Sequence, residues 1–152
     1  MNNDFILTSN LIFLLPSFMA CRKGYYLSSI LYFTVCYISY KYHYTNEDNI
    51  DYREYDIMLA KITIIHDIIM FFWIFNNRPH KNIFNVLGYL VFGILSVIIL
   101  FSIDKQANRK KLYGINQFNK EQVYLNIHKS NYYDLHPWWH IVGGLTSTML
   151  YV

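Results

Sequence analysis

From Ile83 to Ile103 the chain runs twenty-one residues without a charged side chain. A helix rises about 1.5 Å per residue, so this stretch reaches about 30 Å, the depth of a bilayer's hydrocarbon core. Four further apolar segments accompany it, at about 5–20, 25–43, 55–75 and 135–152. The expected fold class is therefore all-α: one transmembrane domain over residues 1–152, a multi-pass helical bundle of about five helices. With 54% apolar and 19% aromatic residues, the composition is too hydrophobic for an ordinary small soluble protein.

The segments are separated by recognisable punctuation. Arg22-Lys23-Gly24 is a tight turn, which makes the second segment an antiparallel neighbour of the first. Basic residues follow the first segment instead of preceding it, and no small-residue cleavage site closes it, so it is expected to remain as a helix. Thr45 to Glu54 reads as an acidic loop, Asn76 to Lys81 as a turn with a stop at Pro79, and residues 104–133 as a long polar loop. Gly143, Gly144, Ser147 and Thr148 give the last helix small residues four apart, which lets a neighbour approach closely. Cys21 and Cys36 fit neither a zinc nor a disulfide pattern. The net charge of +3 comes with no basic face bearing spaced aromatics, so no nucleic-acid partner is expected.

The polar residues inside these segments carry the chemistry. His136 and His140 stand at i and i+4 and share a helix face; Pro137 fits only the first turn of that helix, with Asp134 as its cap. Trp138 and Trp139 read as interfacial anchors. Ser39 and His43 share a face at the end of the second helix, and Asp56 opens the third, with Asp51 close by as the alternative. Counting crossings from either side brings His43, Asp56 and His136 to the same membrane face. Each residue alone has an ordinary structural use, as a capping histidine, a helix-start acid or a back-bonding hydroxyl. Together they suggest metal ligands His43, His136 and His140 for zinc, with Asp56 to orient or deprotonate a water and Ser39 as a supporting donor. Lys61, His66 and Asp67 interrupt the third segment and should face the bundle or water instead of lipid. Asp67, about 16 Å deeper than Asp56 on nearly the same face, is expected either to line a water-filled cavity or to pair with Lys61 or a neighbouring helix.

At these residues the chain resembles the CREST superfamily of membrane hydrolases, which includes alkaline ceramidases, GPI-anchor remodelling proteins and the adiponectin and progestin receptors. The family pattern is Ser-x3-His, then Asp, then His-x3-His; here Ser39, His43, Asp56, His136 and His140. Thr8-Ser9-Asn10 with Pro16, Leu31 to Thr34, Tyr42-His43, Glu54-Tyr55-Asp56 and Tyr132-Tyr133 are similar to the transmembrane-protein-8-like branch. The resemblance spans roughly residues 5–75 and 130–152. It implies a zinc-dependent hydrolase acting on an ester or amide bond of a membrane lipid. Members of the family have seven helices, and five segments fit here; losing two as a pair preserves the side from which the last one starts.

Two other readings stand beside this one: a non-catalytic membrane scaffold that keeps the metal site, and a haem-binding bundle using paired histidines. The turns holding Arg22, Lys23, Arg78 and Lys81 contain no acid, which places the site on the lumenal or exoplasmic face, whereas Arg109-Lys110-Lys111 argues for the opposite orientation.

Overall fold

A computed structural model describes residues 3–44, 50–77, 83–112 and 135–152, and every regular element among them is helical. The first segment comprises α1 (Asn3–Ser9), a 3-10 turn (Asn10–Phe13) and α2 (Leu14–Arg22). Pro16 accounts for the tightened turn. It cannot donate to the Ile12 carbonyl, and its ring crowds that group.

α2 ends in a Schellman motif at the expected turn. The Tyr25 N–H donates to the Ala20 carbonyl at 2.9 Å and the Gly24 N–H to that of Cys21 at 3.0 Å. Gly24 has φ +83°, in the left-handed region where a side chain would be strained. The chain then reverses into α3 (Tyr26–Tyr44), with Ser17 on α2 donating to the Ser29 carbonyl at 2.8 Å.

α4 (Ile50–Asn77) and α5 (Ile83–Leu112) are longer than their apolar segments. The expected loop Thr45 to Glu54 is helical from Ile50, where Asp51 favours the first turn through the helix dipole. The expected polar loop 104–133 is likewise helical as far as Leu112. Lys105, Gln106, Ala107, Arg109, Lys110 and Lys111 are good helix formers and need no membrane to propagate a turn. Asp134 and residues 78–81, 113–133 and 45–49 lie outside the described residues.

The last described helix, α6, covers residues 135–149, with Pro137 in its first described turn. It lies against several others. Ile12 of the 3-10 turn closes on Gly144, Met149 lies beside Gly88 of α5, and Tyr151 joins a core of Ala20, Tyr32, Ile74 and Leu150. A second core holds Phe13, Val35 and Cys36.

The distribution of polarity is inverted relative to a soluble domain. Ser9, Asn10, Ser28, Ser39, His43, Asp67, His140 and Ser147 are buried, while Phe18, Leu27, Ile30, Phe33, Ile65, Ile69, Phe72, Val91 and Ile94 are exposed. Among the described residues, Asp4–Arg22 and Glu54–Asn77 are long and apolar enough to cross a membrane; the apolar stretch Ile83–Ile99 of α5 is shorter. The inner face of α3 carries the buried Ser28, Tyr32, Ser39, Tyr42 and His43.

Candidate metal centre

His43 belongs to the last turn of α3, and His136 and His140 occupy consecutive turns of α6. Helix packing brings them together: one nitrogen from each ring lies within 4.8 Å of the others. Ring centroids are 4.4 Å apart for His136–His140, 5.0 Å for His43–His136 and 5.5 Å for His43–His140. His43 and His140 are 2% and 0% exposed. Trp139 lies tilted against both α6 histidines, and Phe13 meets His140 edge-on. Trp138 is exposed and meets Phe5 edge-on at 5.9 Å.

The group suits a metal ion on the chemistry of its donors. His140 Nε2 is buried and has no hydrogen-bond partner among the described residues. Burying such an atom without a partner costs about 1–3 kcal/mol, a cost that ligation to a cation removes. Around a tetrahedral ion with bonds of about 2.0–2.1 Å, nitrogens stand roughly 3.4 Å apart, so small side-chain rotations convert the observed cluster into a ligand set.

Ser39 is 1% exposed, and its Oγ has no hydrogen-bond partner among the described residues. That distinguishes it from Thr34, Thr63, Thr146 and Thr148, whose hydroxyls donate to the carbonyl four residues earlier at 2.7–2.9 Å. Ser39, Asp56, Trp139 and His140 line one cavity of about 400 Å³. Asp56 is outside the three-nitrogen group and half-buried. Asp51, the alternative acid, is exposed. The cavity continues between α4, α5 and α6 along Ala60, Ile64, Leu90, Gly93 and Ile94 to Asp67 and Ser147.

Asp67 is the centre of a second buried network. Tyr32 donates to Oδ1 at 2.6 Å, His66 Nδ1 lies 2.9 Å from the same oxygen, and Ser147 donates to Oδ2 at 2.5 Å. Ser28 Oγ is 2.9 Å from His66 Nε2, and Tyr151 OH is 3.3 Å from Tyr32 OH. Of the two expected partners, it is therefore neighbouring helices that hold Asp67. Lys61 is exposed, so of the two surroundings expected for it, bundle or water, the bundle interior is not the one it takes. Six residues rotate it about 120° away from Asp67 on a helix, and its long stem can carry the ammonium outward.

Sequence patterns alone do not identify the partners of these residues. Ser9 Oγ is 2.9 Å from His140 Nδ1, and Ser28, Tyr32 and Ser147 surround the His66–Asp67 pair. Such hydroxyls, Ser9 between Thr8 and Asn10, Ser28 beside Ser29 and Ser147 between Thr146 and Thr148, carry no local pattern that names a partner. No protein-family model, curated protein or solved structure matches the chain.

Proposed function

We propose that the chain is a multi-pass membrane protein of the CREST type, a zinc-dependent hydrolase of an ester or amide bond in a membrane lipid. The observation that carries this reading is the convergence of His43, His136 and His140 next to a cavity lined by Ser39 and Asp56. The apolar exterior and polar interior support the membrane setting. The charge of the Arg22-Lys23 turn, at the end opposite the histidines, supports a cytoplasmic position for that turn and a lumenal or exoplasmic site.

His43, His136 and His140 would hold the zinc, which would supply Lewis-acid chemistry: a lowered pKa for water and a polarised carbonyl. Asp56, on the cavity wall, orients the attacking water, accepts its proton and returns that proton to the leaving oxygen or nitrogen as the ester or amide bond breaks. The Ser39 hydroxyl, having no partner inside its own helix, donates to the oxygen on which negative charge develops. The hydrocarbon chain of the lipid lies along Ala60, Ile64, Leu90 and Ile94, which leaves the polar linkage at the histidine end.

A single-ion site is favoured over haem. Three imidazole nitrogens from two helices converge within 4.8 Å of one another, a set that a single ion would take up whole and a haem would use only in part. The absence of a Soret band after haem-replete expression is the corresponding expectation.

The test begins with the zinc content of detergent-purified protein beside a His136→Ala/His140→Ala double variant. About one zinc per chain, lost in the variant, is expected from three-histidine ligation. Asp56→Asn should then abolish hydrolysis of ceramide, phospholipid or GPI-lipid substrates while keeping metal and helical content. Wild type that is well folded yet takes up no stoichiometric metal defeats the reading; metal without hydrolysis of any of these lipids turns it into a scaffold.

A further inference from the structure

We infer that Ser9 is a positioning residue for the metal site, holding His140 in the tautomer whose Nε2 lone pair faces His43 and His136; this rests on the proposed three-histidine centre. Ser9 lies at the C-terminal end of α1, 131 positions before His140, and is 5% exposed. Its Oγ makes two contacts, to the Ile6 carbonyl at 2.8 Å and to His140 Nδ1 at 2.9 Å.

A hydroxyl has one proton, and a backbone carbonyl only accepts. The Ser9 proton therefore goes to Ile6, and the contact with His140 forms only if Nδ1 carries a hydrogen and donates it. A neutral imidazole has one N–H, so Nε2 is left with its lone pair. That nitrogen is buried without a hydrogen-bond partner among the described residues. The opposite tautomer would place two lone pairs, on Nδ1 and Oγ, against each other and bury an unpaired N–H at the cluster.

The surroundings hold this contact in register. Ile6 O also accepts from Asn10 Nδ2 at 2.8 Å, so the carbonyl that receives the Ser9 proton is itself fixed. Gly144, one turn after His140, lets Ile12 approach so closely that a Cβ there would stand 2.7 Å from Ile12 Cγ2. α6 is thereby held against the segment carrying Ser9. Outer hydrogen bonds of this kind orient a histidine ligand and raise its basicity.

The experiment uses the full chain in detergent and zinc as the probe, with affinity read by competition against a chromophoric chelator. Ser9→Ala is expected to weaken zinc binding about 10- to 100-fold, and Ser9→Thr, which keeps the hydroxyl, to stay within about threefold of wild type. Helical content of the metal-free forms should be equal. Independently, 15N NMR of histidine-labelled metal-free wild type, with His140→Ala to assign the signal, should show the His140 proton on Nδ1. Equal zinc affinity in Ser9→Ala and wild type, or a proton on Nε2, overturns the inference while leaving the metal site standing. Wild type that binds no zinc overturns the centre and this inference together, and the two failures are thereby told apart.

Discussion

Ser147 on α6 donates to Asp67 Oδ2 on α4 across 2.5 Å, while Tyr32 on α3 and His66 occupy the other carboxylate oxygen. One buried acid thus joins three helices. A carboxylate accepts from three donors at once; an asparagine amide presents one accepting oxygen and an NH₂ group. Asp67→Asn therefore keeps all three contacts only if the Ser147 hydroxyl reverses to accept from the new NH₂, giving up the bond it donates to a carboxylate. The expected loss is about 1–3 kcal/mol in a detergent unfolding titration. Ser147→Ala removes a single bond and should cost less, about 0.6–1.7 kcal/mol. An Asp67→Asn protein as stable as wild type would show that the network does not hold the helices.

The two adjacent glycines of α6 should behave differently. A Cβ at Gly144 stands 2.7 Å from Ile12 Cγ2 and 3.0 Å from Cγ1, whereas one at Gly143 finds Ser96 Oγ at 3.7 Å, an ordinary contact. Ile12 is β-branched and has little rotamer freedom with which to yield. Gly144→Ala is expected to destabilise by about 1–3 kcal/mol through overpacking. Gly143→Ala should be neutral or stabilising by up to about 1 kcal/mol, from helix propensity. Thermal unfolding of the two variants in one detergent decides; equal effects would remove Gly144 as the point of close approach.

The apolar runs make the helices legible in the sequence, and i, i+4 spacing alone puts Ser39 with His43, and His136 with His140, on shared faces. Helix ends are less legible. Ile50 and Leu112 lie beyond the apolar segments because a helix propagates through any good helix former, and a hydropathy pattern registers only burial in lipid or core. For Lys61, interruption of an apolar run marks the residue as unusual without stating whether the bundle or water receives it; the structure has it exposed. Ser9 stands out in the sequence only through a family resemblance, since its bond to His140 spans 131 positions and no local pattern encodes it.

Metal removal provides a stability readout independent of activity. His43 and His140, both buried, and the half-buried His136 contribute donors within 4.8 Å of one another, and binding confined to the folded state stabilises it by mass action. Free zinc at about a thousand times its dissociation constant would add about 4 kcal/mol. Dialysis against a strong chelator should lower the melting temperature, zinc should restore it, and His136→Ala/His140→Ala should respond to neither treatment. A double variant that still responds to zinc would place the ion elsewhere.

Gly93 tests the cavity as the seat of a hydrocarbon chain. It lies on α5 with the Thr146 methyl 3.7 Å from where a Cβ would be, and it lines the same cavity as Ser39, Asp56 and His140. Gly93→Leu fills space equivalent to about four methylenes. At about 0.8 kcal/mol for each methylene kept from burial, the penalty for a long-chain lipid is about 3 kcal/mol, or roughly 100-fold in kcat/KM. A short-chain analogue that does not reach Gly93 should lose far less, so chain-length preference shifts downward. Zinc content should be unchanged, because Gly93 contributes no ligand. Uniform loss across chain lengths with zinc retained would mean that the chain lies outside this cavity, and the lipid would then have to approach the histidines by another route.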